Sequence, residues 1–114
     1  MTIERSELSA RMSQSVVHGD TIYLAGQVGD GADVAAQTKD MLAQVDCLLA
    51  ATGSSKSHIL SATIWMADIG QIGDMNAVWD VWIDPANPPA RACGESRLAT
   101  PDYLVEVMII AAKA

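Results

Sequence analysis

Phenylalanine is absent from this chain of 114 residues, and aromatic residues of any kind make up only 4% of it, although half of the residues are apolar. The core must therefore be built from small and β-branched side chains, with 6 methionines to fill irregular gaps. Basic residues are also scarce, at 7 against 14 acidic ones for a net charge of −7. Phosphate recognition needs clustered Lys and Arg, so a nucleic-acid partner is not expected. Cys47 and Cys93 are the only cysteines, and their spacing matches neither a disulfide framework nor a zinc site. With only His18 and His58 besides, nitrogen and sulfur ligands are too few for a metal site to be expected. The N-terminal MTIERSELSARM lacks the apolar region of a signal peptide, and no apolar run reaches membrane-spanning length. These absences lead us to expect a reduced cytoplasmic protein with no membrane association.

No internal repeat or low-complexity linker interrupts the chain, so residues 1–114 are expected to form a single domain. Ser13–His18 and Thr21–Ala25 read as strands joined by Gly19-Asp20, a dipeptide suited to a tight hairpin. A loop with three glycines follows from Gly26 to Ala32, and Asp33 is placed to cap a helix. Val34, Thr38, Met41, Leu42, Val45, Leu48 and Leu49 then recur at helical spacing, with Gly53 to end the helix. Ile59–Ala67 is a third strand. Ile72, Met75, Trp79 and Trp82 mark a second helix, stopped by Asp84-Pro85. After the loop Pro85–Pro89, strands are expected over Ala90–Leu98 and Tyr103–Ala112, joined by a turn at Thr100-Pro101-Asp102. The order ββαβαββ, with a hairpin at each end, implies an α+β fold with a mixed sheet. Two helices on one face leave the other face bare, and a second copy of the chain is the simplest cover. A homo-oligomer is therefore expected from the pattern alone, and a self-associating surface also accounts for so apolar a short chain.

Two residues stand out as carriers of chemistry. Glu106 is the only charge in the run Tyr103–Ala112, where an ionised carboxylate is costly unless it is paired, hydrogen-bonded or wet. It is either a structural charge at a strand end or a working base. Arg91 opens a strand in which Arg91, Cys93, Glu95 and Arg97 share one face, opposite Ala90, Ala92, Gly94 and Ser96. A planar guanidinium beside small residues suits a bidentate grip on a carboxylate. The alternative is an exposed strand face with Arg91 paired to Glu95 or Glu106. Cys93 reads as a buried small residue rather than a nucleophile. His18, beside a turn, reads as a surface residue, and His58 as a residue near a helix–strand junction. Trp65, Trp79 and Trp82 read as core or interface anchors. Gly26-Gln27-Val28-Gly29 lacks the spacing of a phosphate loop and reads as a turn that borders a pocket.

Four of these features together resemble the Rid/YjgF family of reactive-intermediate deaminases. They are Gly26-Gln27 after an early strand, Asn76 within the second helix, Pro89-Ala90-Arg91-Ala92-Cys93 at a strand start, and Val105-Glu106-Val107 in the last strand. The resemblance covers nearly the whole chain, and its most specific part is the pairing of the arginine with the glutamate fifteen positions later. It is closest to a short branch with an Arg-x-Cys start and a Trp-rich second helix. The resemblance implies a chorismate-mutase-like fold and a homotrimer with three clefts between subunits. It also implies hydrolysis of small 2-imino or enamine acids to 2-keto acids and ammonia, with no metal or organic cofactor. In that picture Arg91 holds the substrate carboxylate and Glu106 activates water. The backbone at Cys93 and Gly26 lines the reacting centre, and Asn76 supports the pocket.

Two positions depart from the pattern. Met12 stands where RidA-like members carry a tyrosine, and Ala25 where they carry a serine, so two pocket hydroxyls are missing. This keeps open a different class of function, a non-catalytic trimer that binds a small carboxylate metabolite. The ribonuclease activity attributed to some relatives is disfavoured by the acidic charge. Chorismate mutase chemistry would need several cations around a dicarboxylate, and none are identified.

Overall fold

The computed structural model describes residues 1–114 as one six-stranded sheet carrying two long helices. The elements run β1 (Ile3–Leu8), β2 (Ser13–His18), β3 (Thr21–Leu24), α1 (Val34–Ala51), β4 (Ile59–Met66), α2 (Ile72–Trp82), β5 (Ala90–Glu95) and β6 (Val105–Ala112). Their order across the sheet is β1-β2-β3-β6-β4-β5. β4 and β5 pair in parallel and every other neighbour pair is antiparallel, so the sheet is mixed and the class α+β. No helix is long and apolar enough to cross a membrane.

Local chemistry explains both helices. Asp33 accepts the Ala36 N–H at 2.8 Å as the N-cap of α1, satisfying a donor that the first turn leaves orphaned. Val34, Thr38, Met41, Leu42, Val45 and Leu49 bury one stripe of α1, and Gly53 follows at φ 83 in the left-handed region. α2 buries Met75 and Trp79. It gives way at Ile83, whose ψ of 146 is already extended ahead of Asp84-Pro85.

Alternation sorts the sheet's two faces. Ile22, Leu24, Ala62, Ile64, Met66, Val105, Val107, Ile109 and Ala111 join the helix stripes in one core of 18 buried residues. The same strands turn Tyr23, Ser61, Thr63, Trp65, Glu106, Met108 and Ile110 the other way. No helix covers them, and Tyr23, Trp65 and Met108 remain 45%, 38% and 45% exposed.

The structure corrects the strand pattern in two places. A strand precedes the five expected: β1 pairs with β2 in the register Ile3↔His18 to Leu8↔Ser13. All six of its residues are exposed, so it has no buried face to impose an alternating pattern on IERSEL. The second hairpin, expected between Ala90–Leu98 and Tyr103–Ala112, does not form. β6 instead lies between β3 and β4, and β5 occupies the sheet edge beside β4. β6 carries apolar residues on both faces and suits a central position, whereas β5 is short, small and polar. The connection between them is pinned by Gln37 of α1. Its side-chain amide donates to the Asp102 carbonyl at 2.9 Å, and its Oε1 accepts the Leu104 N–H at 2.8 Å.

Candidate functional site

The sheet register sets where the two chemical candidates point. Arg91 pairs with Ala62, Cys93 with Ile64 and Glu95 with Met66, and those β4 residues face the core. Arg91, Cys93 and Glu95 therefore share the helix side of the edge strand, while Ala90, Ala92 and Gly94 share the open side. Glu106 pairs with Trp65 and lies on the open face, where it is the only charge on strands β3, β6 and β4. Arg91 and Glu106 thus belong to opposite faces, two strands apart and offset along the strands, roughly 14 Å between their α-carbons by ordinary sheet spacing. Within one chain they do not meet on one ligand.

Each residue has its own setting. The Arg91 guanidinium carbon sits 5.2 Å from the centroid of the Trp79 ring, within reach of the ring's negative face. Glu95 turns to the other end of α2, where its Oε1 accepts the Ile69 N–H at 3.1 Å. β5 consequently runs antiparallel to α2, with Cys93 and Asn76 falling between these two contacts. Cys93 is half-buried, and burial pushes its thiol pKa up while the Arg91 charge opposes the shift. A thiol so placed is protonated at neutral pH and does not behave as a nucleophile. Asn76 lies one turn before Trp79, and its Oδ1 is sealed from solvent without a hydrogen-bond partner. Such an orphaned acceptor costs about 1–3 kcal/mol.

The Glu106 corner is built by close approach. A Cβ at Gly26 would stand 3.0 Å from Glu106 Cδ and 3.2 Å from both carboxylate oxygens, so only a glycine lets the carboxylate rest undisturbed against the backbone. Gln27 holds this loop to β6. Its N–H donates to the Val107 carbonyl at 2.8 Å and its carbonyl accepts the Val107 N–H at 3.0 Å. The Ala25 N–H donates to the Gln14 carbonyl at 2.9 Å, which sets Ala25 at the same end of the sheet. Met12 stands two residues before Gln14, 45% exposed, in the turn where its carbonyl accepts the Ser9 N–H at 2.8 Å. The sequence candidates therefore fall into two groups. Arg91, Cys93 and Asn76 gather at the β5–α2 edge. Glu106, Gly26, Ala25 and Met12 gather at the loop end of β2, β3 and β6.

Comparison with known proteins decides the family. The family model described as Endoribonuclease L-PSP matches residues 2–113. A RutC family protein from Haemophilus influenzae is 44% identical over 114 residues, covering 97% of this chain and 98% of that protein. The chain belongs to the Rid/YjgF family. The RutC family protein YoaB of Escherichia coli is 42% identical over 113 residues, 98% of this chain and 99% of its own. Among solved structures of Rid/YjgF members, one from Neisseria meningitidis superposes with a TM-score of 0.99 at 43% identity, covering 100% of this chain and 97% of that one.

Trp79 is the contact that sequence reasoning missed at this site. It reads as a core residue by spacing, and it is one, but its ring also carries Arg91. The two are separated by a loop with three prolines, and no local periodicity links them. Gln37 likewise sits as a polar residue inside an apolar helical stripe, and its bonds to Asp102 and Leu104 join segments that no local pattern links.

Proposed function

We propose that this protein hydrolyses small 2-imino or enamine acids of the 2-aminoacrylate and 2-iminobutanoate type to 2-keto acids and ammonia. The working unit is a homotrimer. Each cleft joins the β5 edge of one subunit to the open sheet face of the next, so that Arg91 and Glu106 come from different copies. The observation that carries this reading is the pair of uncompensated charges on opposite faces. Arg91 rests on a ring and Glu106 lies against bare backbone at Gly26. Each therefore has its charge available to a ligand. The apolar side chains around Glu106 supply the surface that a second copy would cover.

The chemistry follows from these groups. Arg91 binds the substrate carboxylate through two parallel hydrogen bonds. Glu106 accepts a proton from a water as its oxygen attacks the imine carbon, giving a carbinolamine. The proton then passes from Glu106 to nitrogen, the freed carboxylate takes the hydroxyl proton of the carbinolamine and delivers it to the same nitrogen, the C–N bond breaks, and ammonia leaves as the 2-keto acid forms. One water is consumed and no electrons are transferred. Lining by the Cys93 and Gly26 backbone and support from Asn76 complete the pocket.

The test generates imino acids in situ with an amino-acid oxidase and traps survivors with semicarbazide. Wild type should reduce the trapped product, and Arg91→Ala should not, while light scattering reports the same trimer for both. Turnover retained by Arg91→Ala would overturn the assignment. A second reading is favoured by Met12 and Ala25, which bring no hydroxyl to the Glu106 corner. In it the trimer binds a small carboxylate without turning it over. Pyruvate would then raise the melting temperature of wild type and not of Arg91→Ala, with no effect on trapped product.

A further inference from the structure

We propose that Trp79 is the positioning residue for the carboxylate grip, holding the Arg91 guanidinium in place without neutralising it. This inference rests on the reading of Arg91 as the group that binds a substrate carboxylate.

Arg91 lies on an exposed edge strand, where a long side chain would ordinarily sample many rotamers and lose that freedom on binding a ligand. Fixing it in advance with a carboxylate would satisfy its charge and remove the reason to bind another. An aromatic ring avoids the conflict. It attracts the cation through its quadrupole and offers no second carboxylate to compete with the substrate. The arrangement here fits that use. The Arg91 guanidinium carbon is 5.2 Å from the ring centroid, while Glu95 is turned away to the Ile69 N–H. Glu106 lies on the opposite face.

The ring is also a rigid support. Trp79 is only 5% exposed and packs at 5.3 Å and 56° against Trp82. Trp82 in turn donates its indole N–H to Asp46 of α1 at 2.9 Å and carries Lys56 at 5.6 Å on its own ring. A continuous chain of contacts thus runs from α1 through both tryptophans of α2 to the guanidinium on β5. The core needs an apolar group at position 79. It does not need one whose ring lies against the only arginine on the helix side of β5.

Truncating Trp79 would leave a large cavity, so the test keeps its shape. Tryptophan carrying one, two or three ring fluorines is placed site-specifically at position 79, which drains the ring's negative face at nearly constant volume. Pyruvate is the probe, its Kd measured by titration calorimetry, with imine turnover followed in parallel. The contact predicts a Kd that rises with each fluorine, about two- to five-fold across the series. In turnover the loss should fall on KM, because the carboxylate is held alike in ground and transition states. In the ligand-free protein the Arg91 side-chain protons should show an upfield ring-current displacement. A Kd indifferent to fluorination, or no such displacement, overturns the proposal. Graded pyruvate binding without any turnover would sink the hydrolase reading and support this role of Trp79. If pyruvate bound no form of the protein, the grip and this role would fall together.

Discussion

Replacing Gly26 by alanine separates folding from function at the Glu106 corner. The new Cβ would lie 3.0 Å from Glu106 Cδ and 3.2 Å from both oxygens. Comfortable carbon–carbon contact begins near 3.5 Å, so the carboxylate must retreat by about half an ångström. The obstructing group is the free end of a flexible side chain, and swinging it off its rotamer costs about 0.5–1.5 kcal/mol. The same substitution removes freedom from the unfolded chain, which stabilises by about 0.4–1 kcal/mol where the backbone tolerates it. Gly26 is outside the left-handed region, unlike Gly19 and Gly53, so the two effects nearly cancel. Melting temperature should move by less than about 5 °C. Under the proposed hydrolysis, with Glu106 as the base, turnover should respond far more. A misplacement of 1 Å costs on the order of a hundredfold, so half of that predicts about a tenfold loss of kcat in the oxidase-coupled assay. Placed on a Glu106→Gln background, Gly26→Ala should cost nothing further, because the two changes disable one group. An unchanged kcat for Gly26→Ala, or additive losses in the double variant, would refute the proposed role of Glu106 as the base that activates water.

Gly29 makes the opposite case. A Cβ there would meet the Gln37 carbonyl oxygen and the Met41 nitrogen at 2.5 Å. These are backbone atoms of a helix that cannot yield, so Gly29→Ala should fail to give a cooperative thermal transition. Gln37→Met keeps the side-chain bulk but strands the Leu104 N–H and the Asp102 carbonyl that Gln37 now satisfies. Urea unfolding should register a loss of about 1–3 kcal/mol. Asp84 accepts from Asn87, Ala86 and Ser57, in that order of effect, and these bonds hold its pKa below the ordinary 3.8. Its contribution to stability is therefore present above about pH 4 and lost as pH falls through the lowered value. Asp84→Asn should flatten the acid limb of a melting-temperature profile, and an unchanged limb would refute this. Cys47 is exposed and Cys93 half-buried, with burial holding the Cys93 thiol protonated. Iodoacetamide at neutral pH should label Cys47 first by peptide mapping, and faster labelling of Cys93 would contradict the site's geometry.

Much of the fold was legible in the sequence because local patterns and tertiary burial agree there. The α1 stripe from Val34 to Leu49, its Asp33 cap and its Gly53 stop are each short-range signals. The same holds for the Gly19-Asp20 turn and for the alternation that puts Arg91 and Cys93 on one side of β5. The residues that carry the Rid/YjgF likeness, Arg91 and Glu106 above all, were conspicuous for a local reason as well. Each is a charge set among small or apolar neighbours. Tertiary structure alone decided the rest. β1 was invisible because an exposed edge strand has no buried side to shape its composition. The position of β6 between β3 and β4 depends on which strand best fills the centre of the sheet, a competition among distant segments. Whether Arg91 and Glu106 face one another depends on register and strand order. Periodicity shows which residues of one strand share a side, but carries no information about which side of the sheet that is. Only the assembled fold sets Arg91 against Trp79 and Glu106 over Gly26, because those contacts join elements whose separation in sequence leaves no local trace.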